Sequence, residues 1–440
     1  MILIFCKTRF VLVIDIQKKE DMIMNYRTVS YYDEFKCIGG ACEDSCCDNW
    51  EIDLDDESLK FYMSQKGEFG KRLKKCTRVK DKQFILNGTR CPFHNDDDLC
   101  DIYIELGEEA LCQTCTNFPR HIEEFDDLKE VSLTMSCPEA SRIMLSKRDK
   151  MSFTCKEGSD REYGLKELKP VSRLAFWKRG HENKLDKPLY DELFKARVLI
   201  YEMLQDRSIS VVLRALYVIS FAEELQEKID DNDYSAIADI ITIYQNNREE
   251  RVIVNDWDVK KSVDDPEYMG HKVQCAGPPQ VVWMHIYLDI YEGLENIIPE
   301  WKNTLAAGKK HIESVYYWQN MNGFMNYYKD KEYEFEHILV YYIFSYFLGA
   351  AYDHDALTKV KFAVISYLII LELDVARWAL NEKSFTYEDQ VSIAHAYSKE
   401  VEHSYDNYES LQLVLSAHPD LITDNFRKEL EYILSIERAR

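Results

Sequence analysis

Cys37-Ile-Gly-Gly-Ala-Cys42-Glu-Asp-Ser-Cys46-Cys47 places four thiols in eleven residues, and the reading of the chain starts from that crowding. Ten of the thirteen cysteines lie between Cys37 and Cys137, where an even spread would leave about three, a local density approaching that of small disulfide scaffolds. Disulfides belong to oxidising compartments and mostly to short secreted chains. This chain has 440 residues, and its start, Met1 to Ile16, has no basic n-region and an apolar run interrupted by Lys7 and Arg9. The expectation is a reduced, cytoplasmic protein whose clustered cysteines bind metal, because thiolates take zinc and iron and a folded site alone collects that binding free energy.

Outward from the knot, the next sulfurs are Cys91-Pro-Phe-His-Asn-Asp-Asp-Asp-Leu-Cys100, then Cys112-Gln-Thr-Cys115, then Cys137 after Ser136. Zinc would take four thiolates tetrahedrally and stay redox-silent, whereas an iron-sulfur cluster would bring electrons or an open iron. Only Cys112 and Cys115 have CxxC spacing, which disfavours a plain zinc ribbon. The sulfur supply exceeds one tetrahedral site, and the spacing leaves zinc and iron-sulfur open. Candidate ligands are Cys37, Cys42, Cys46, Cys47, Cys91, Cys100, Cys112, Cys115 and Cys137. Cys6, Cys76, Cys155 and Cys275 lack partnered spacing and read as small buried hydrophobes. His94 reads as a hydrogen-bonded loop residue, and Asp96-Asp97-Asp98 as a solvated face.

The length predicts two domains. Residues 1–23 differ in character from the remainder of the chain and read as an N-terminal extension, foreign to the fold or an edge strand at 11–16. Residues 24–147 are turn-rich, punctuated by Gly39-Gly40 and Asn87-Gly88. Within them Asp55 or Asp56 caps a helix carrying Leu59, Tyr62 and Met63, and Gly107-Glu108-Glu109 opens another carrying Cys112 and Cys115. Residues 148–187 are charged and irregular, a linker. Residues 188–440 show helical period, clearest at 188–205, 208–229, 278–300, 333–352 and 356–380. The last two, joined by Asp353-His354-Asp355, form a buried antiparallel hairpin, and Thr386-Tyr-Glu-Asp389 is a capping box. The fold class is therefore mainly α: a cysteine-rich, turn-rich metal-binding N-terminal domain followed by an all-helical C-terminal domain.

A formal charge of −23 argues against nucleic acid and anionic membranes as partners, since both are held by Lys and Arg. The longest uncharged apolar run, 338–352, falls short of the roughly 20 residues that cross a bilayer. No GxGxxG follows a predicted strand, so a nucleotide-cofactor Rossmann domain is disfavoured.

Five blocks in order, Phe35 to Trp50 around the knot, Cys91-Pro-Phe93, Leu106-Gly-Glu-Glu109, Thr114-Cys-Thr-Asn-Phe-Pro-Arg120 and Ser132-Leu-Thr-Met-Ser-Cys-Pro-Glu139, resemble the flagellin lysine N-methylase family. The CxxxCC portion alone resembles a wider group of zinc- or iron-chelating domains. The resemblance spans about residues 31–142, and Leu339 to Leu348 is similar in texture. It implies methyl transfer from S-adenosylmethionine to lysine ε-amines of flagellin, with an iron-sulfur cluster on the cysteines. Lysine must lose its proton to attack, so a base is needed. Glu108, Glu109 and Glu139 lie near the cysteines in sequence, and Arg120 can grip a carboxylate of the donor. The same glutamates also suit helix N-termini, and Arg120 can pair with Glu123 or Glu124. The rival reading is a non-catalytic, zinc-stapled module that binds a protein or handles metal.

Overall fold

The computed structural model describes residues 24–166, 184–246 and 282–438. The expectations for residues 1–23, and for Cys6 and Cys275, fall outside the described residues. The strands are β1 (Met24–Val29), β2 (Thr77–Arg78), β3 (Gln83–Phe84), β4 (Arg120–Phe125), β5 (Leu128–Leu133) and β6 (Phe153–Gly158). β2 and β3 make a small antiparallel pair, and the other four form one sheet in the order β4-β5-β1-β6.

This sheet was not foreseen, and its centre explains why. All six residues of β5 are buried, Lys129 and Glu130 included, so the strand lacks the polar alternation by which a half-buried strand is recognised. β5 runs parallel to β1 and antiparallel to β4, and β6 pairs antiparallel with the other edge of β1. Part of the expected linker is thus an edge strand, six backbone pairs long from Met24↔Gly158 to Val29↔Phe153.

Between β1 and β4 lies the cysteine lobe, although Tyr31 and Tyr32, just after β1, still pack into the larger core. It holds α1 (Asp56–Ser64), α2 (Gly67–Lys75), α3 (Asp101–Leu106) and α4 (Gln113–Asn117). Asp55 caps α1, accepting from the Ser58 amide at 2.9 Å. The lobe has its own small core, with Ile52, Leu54, Tyr62, Leu73, Phe84 and Phe93 buried together with Cys91 and Cys112.

After the β4-β5 hairpin comes α5 (Pro138–Leu145), and the helical half follows as α6 (Lys187–Leu204), α7 (Val211–Asp230), α8 (Ser235–Asn246), α9 (Val282–Glu292), α10 (Trp301–Ile312), α11 (Tyr317–Tyr328), α12 (Glu332–Tyr346), α13 (Ala350–Asp353), α14 (Ala356–Leu380), α15 (Tyr387–Glu402), α16 (Tyr405–Ala417) and α17 (Thr423–Arg438). α14 is apolar on all sides and buried along almost its whole length, as a central helix must be. Asp355 caps it through the Thr358 amide at 2.9 Å, and Thr386 and Asp389 close the expected capping box on α15. The helix expected over 333–352 instead breaks after Tyr346 into a 3-10 turn and the short α13. The sheet, α5 and the helical half share one continuous core, so the sheet belongs with the helices and the cysteine lobe stands apart.

Candidate active site and metal centre

The eleven described cysteines are all free thiols. Among the described residues, no three His, Cys, Asp or Glu side chains are arranged as a metal polyhedron, and the thiols instead meet in small contacts. Cys46 and Cys91 hydrogen-bond to Cys47 and hold its pKa down at about 3, while the same bond to Cys47 pushes Cys46 up. Cys115 does the same for Cys112, whose thiol lies below its ordinary range. Thiol-thiol contacts that favour ionisation of one partner supply the kind of donor that zinc or iron takes. The residues fit a thiophilic metal by the chemistry of their donor atoms, although no three of the described ones are gathered around one point.

Cys37 and Cys42 flank a 3-10 turn over Gly39–Ala41. The turn needs both glycines. Gly39 has φ +57°, and a Cβ on Gly40 would stand 3.0 Å from the Asp97 carbonyl oxygen of the 91–100 loop. Cys137 is the N-cap of α5 and lies within electrostatic range of Cys37 and Cys42, and Cys46 feels Cys37 and Cys137.

The helical half reaches this loop through α15. His395 Nε2 stands 2.7 Å from Asp44 Oδ2, and Lys399 Nζ donates to Asp44 Oδ1 at 2.6 Å. Burial pushes the Asp44 carboxyl upward, but the His395 hydrogen bond and the Lys399 charge outweigh it and hold the pKa at about 2. One turn on, His403 Nε2 contacts Ser136 Oγ at 2.5 Å and its ring packs edge-on against Trp50 and Phe118. Burial, then the Lys399 charge, drives the His403 pKa to about 3, so the ring is neutral. At the other end of α15, Arg142 bridges Glu43 (2.5 Å), Glu139 (2.8 Å) and Glu388 (2.9 Å). Asp44, His395, Lys399 and His403 were missed. Their signal was available in part, since 395, 399 and 403 recur every four residues on a helix otherwise patterned as amphipathic.

The foreseen residues are dispersed. Glu139 sits in the first turn of α5 beside Cys137, half-buried and held by Arg142. Glu108 and Glu109 are exposed on a 3-10 turn that ends at Ala110, so the helix expected from 107 through Cys115 is two pieces with Cys112 as the N-cap of α4. Arg120 donates from Nε to the Tyr32 hydroxyl at 2.9 Å, and its guanidinium stands against Gly164, where a Cβ would lie 2.6 Å from Nη2. Glu123 meets His121 at 3.2 Å and Glu124 meets Lys129 at 3.1 Å. His94 is buried in its loop, 3.4 Å from Asp48.

No helix among the described residues is long and apolar enough to cross a membrane. Residues 197–422, just over half of the chain, match the model of the FliB lysine N-methylase C-terminal domain. The chain is 29% identical over 146 residues to the flagellar biosynthetic protein FliU of Salmonella muenchen, covering 30% of this chain and 83% of that one. It is 29% identical over 139 residues to the lysine-N-methylase of Salmonella typhimurium, covering 28% of this chain and 33% of the relative, and it matches that of Salmonella choleraesuis to the same extent. The match thus spans about a third of the length of those two lysine-N-methylases. No solved structure matches.

Proposed function

The chain belongs to the FliB lysine N-methylase family, and on that basis we propose that it methylates lysine ε-amines of flagellin with S-adenosylmethionine as donor, at a site where the sulfur loop meets α15. The observation that carries the reading is the grip of His395 and Lys399, which lie inside the family-matched segment, on Asp44 between Cys42 and Cys46. In this proposal Cys37, Cys42, Cys46 and Cys137 hold an iron-sulfur cluster. When bound, the cluster supplies a Lewis-acidic or electron-carrying centre beside the donor.

The chain's own residues supply the rest. The bond that forms joins the lysine nitrogen to the methyl carbon as the carbon-sulfur bond of the sulfonium breaks, and the ammonium must first give up a proton. In this proposal Glu139, next to Cys137 and held by Arg142, accepts that proton. Neutral His403, with Trp50 and Phe118, gives the site an aromatic wall that adds no cationic charge of its own. Arg120, stacked over Tyr32 and Phe35, has guanidinium nitrogens suited to a donor carboxylate.

The test is anaerobic purification, visible absorption with elemental analysis, and incubation with flagellin and S-adenosylmethionine. Brown, iron-containing protein and methyl-lysine in flagellin by mass spectrometry are expected. Colourless zinc protein that transfers no methyl group would overturn the proposal in favour of a zinc-stapled binding module.

A further inference from the structure

Helix α6 reaches further than the sheet it covers. Its start packs Tyr190 against Phe125 of β4, its middle sets Phe194 under Arg27 of β1 and Arg197 against Glu130 of β5, and Tyr201 stacks on Phe153 of β6 at 4.6 Å. Tyr201 thus already stands over the outermost strand. The four residues from Tyr201 to Gln205 advance the chain by about 6 Å, a little more than the spacing between neighbouring strands. Beneath this overhang lies a groove of about 440 Å³, with Lys150, Met151 and Phe153 on one side and Val198, Tyr201 and Gln205 on the other.

The strand edge that borders the groove is unpaired. β6 bonds β1 alone. The Ser30 amide donates to the Ser152 carbonyl at 2.8 Å, so by antiparallel alternation Thr154 and Lys156 turn their backbone groups toward β1, and Phe153, Cys155 and Glu157 turn theirs outward. Among the described residues no backbone hydrogen bond reaches those outward groups, and residues 154–157 are exposed. Two side-chain atoms at the groove also lack a partner, the Tyr201 hydroxyl and Gln205 Oε1. Gln205 is only 9% exposed, so its acceptor is held away from water without a donor, an arrangement that costs free energy until one arrives.

We propose that an extended segment of the protein substrate adds to the outer edge of β6 as a fifth strand and inserts an uncharged carboxamide side chain, Asn or Gln, beneath the end of α6. Main-chain pairing supplies affinity in such strand addition, and a pocket for one side chain supplies selectivity. A carboxamide donates to Gln205 Oε1 and accepts from its Nε2, a pair of bonds that neither a carboxylate nor an ammonium makes. Charge points the same way. Lys150 and Glu202 line the groove with no ion pair among the described residues, one of each sign, and buried Arg197 nearby is neutralised by Glu130. A groove without net charge takes an uncharged side chain at the lowest desolvation cost. The same end of β6 leads toward the sulfur loop, since Lys147, three residues before Lys150, pairs with Glu34, three residues before Cys37. A short edge strand bearing Lys156 and Glu157 is also what a merely solvated edge looks like, but solvation of the edge gives no reason for the orphaned amide beside it.

The docking edge rests on the proposed function for the identity of its partner, and the experiment separates the two. Binding of monomeric flagellin to the full chain is measured by calorimetry, beside methyl transfer and hydrogen exchange, for wild type, Cys155→Pro and Gln205→Leu. Proline at 155 removes an outward N–H and leaves the bonds to β1 in place. Leucine nearly keeps the volume of Gln205 and removes its amide. Flagellin is expected to slow exchange in the peptide covering β6 of the wild type. Each variant is expected to bind roughly tenfold more weakly, about what losing one or two hydrogen bonds costs, with KM raised and kcat unchanged. In the flagellin segment that is itself protected, replacing its Asn or Gln by Ala is expected to weaken wild-type binding by the same factor and to change nothing further in Gln205→Leu. Protection of β6 without methyl transfer leaves the docking edge standing and defeats the proposed function. Methyl transfer with β6 unprotected, equal affinity in all three proteins, no flagellin binding, or a protected segment without Asn or Gln overturns the proposal. Should Cys155→Pro not fold, Val198→Glu, at an exposed position of α6 on the groove, takes its place with the same expected loss.

Discussion

Glu400, on α15 directly after Lys399, is almost fully buried and accepts hydrogen bonds from the Ile297 amide at 3.0 Å and from the Ile298 amide. Burial outweighs those bonds and pushes its pKa up to about 7. The unfolded value is about 4.3, so the folded chain binds this proton more tightly and stability falls as pH rises from about 4.5 to about 7. The loss is roughly 3 kcal/mol at 1.36 kcal/mol per pH unit. Glu400→Gln keeps an acceptor oxygen for the two amides and removes the charge. Urea unfolding midpoints should therefore move in favour of the variant as pH climbs from 5 to 8, and a wild type that gains on the variant over that range contradicts the account. Glu400 gave no signal of this in the sequence, because α15 reads as an ordinary amphipathic helix and only its neighbours reveal that this position faces inward.

The element that ties the sheet to the helices is β5. Glu130 on it accepts both guanidinium nitrogens of Arg197 from α6, at 2.5 and 2.6 Å, with both side chains buried, and also meets Arg27 of β1 at 2.9 Å. Breaking such a buried pair from one side costs about 3 to 5 kcal/mol. Arg27 remains to cover part of the Glu130 charge, so Arg197→Met should lower stability by about 3 kcal/mol, toward the low end of that range. Adding Glu130→Leu should recover part of the loss in denaturant titration, because the uncompensated carboxylate is gone. A double variant weaker than the single one would show that the pair does more than neutralise itself. Helices such as α7 and α14 were legible because their apolar stretches run far longer than a strand. β5 was not, since a strand buried on both faces carries charged residues wherever a distant partner neutralises them.

At the scale of the molecule, two cores divide the chain. The larger runs from Tyr26 through the sheet to Ile436, and the smaller is confined to residues 47–115. Removing the metal proposed for the sulfur loop should therefore raise amide exchange across the cysteine lobe while α12 and α14 stay protected, as read by hydrogen-exchange mass spectrometry. Uniform loss of protection along the whole chain would mean one cooperative unit. The sequence by itself determined the sulfur-rich segment, the helical half and the family resemblance, because each is written in spacing over a few residues or a few turns. Tertiary structure alone decided which thiols stand together and that Asp44 meets Lys399, 355 positions away. Contacts of that range depend on how two cores pack, and local pattern carries no record of it.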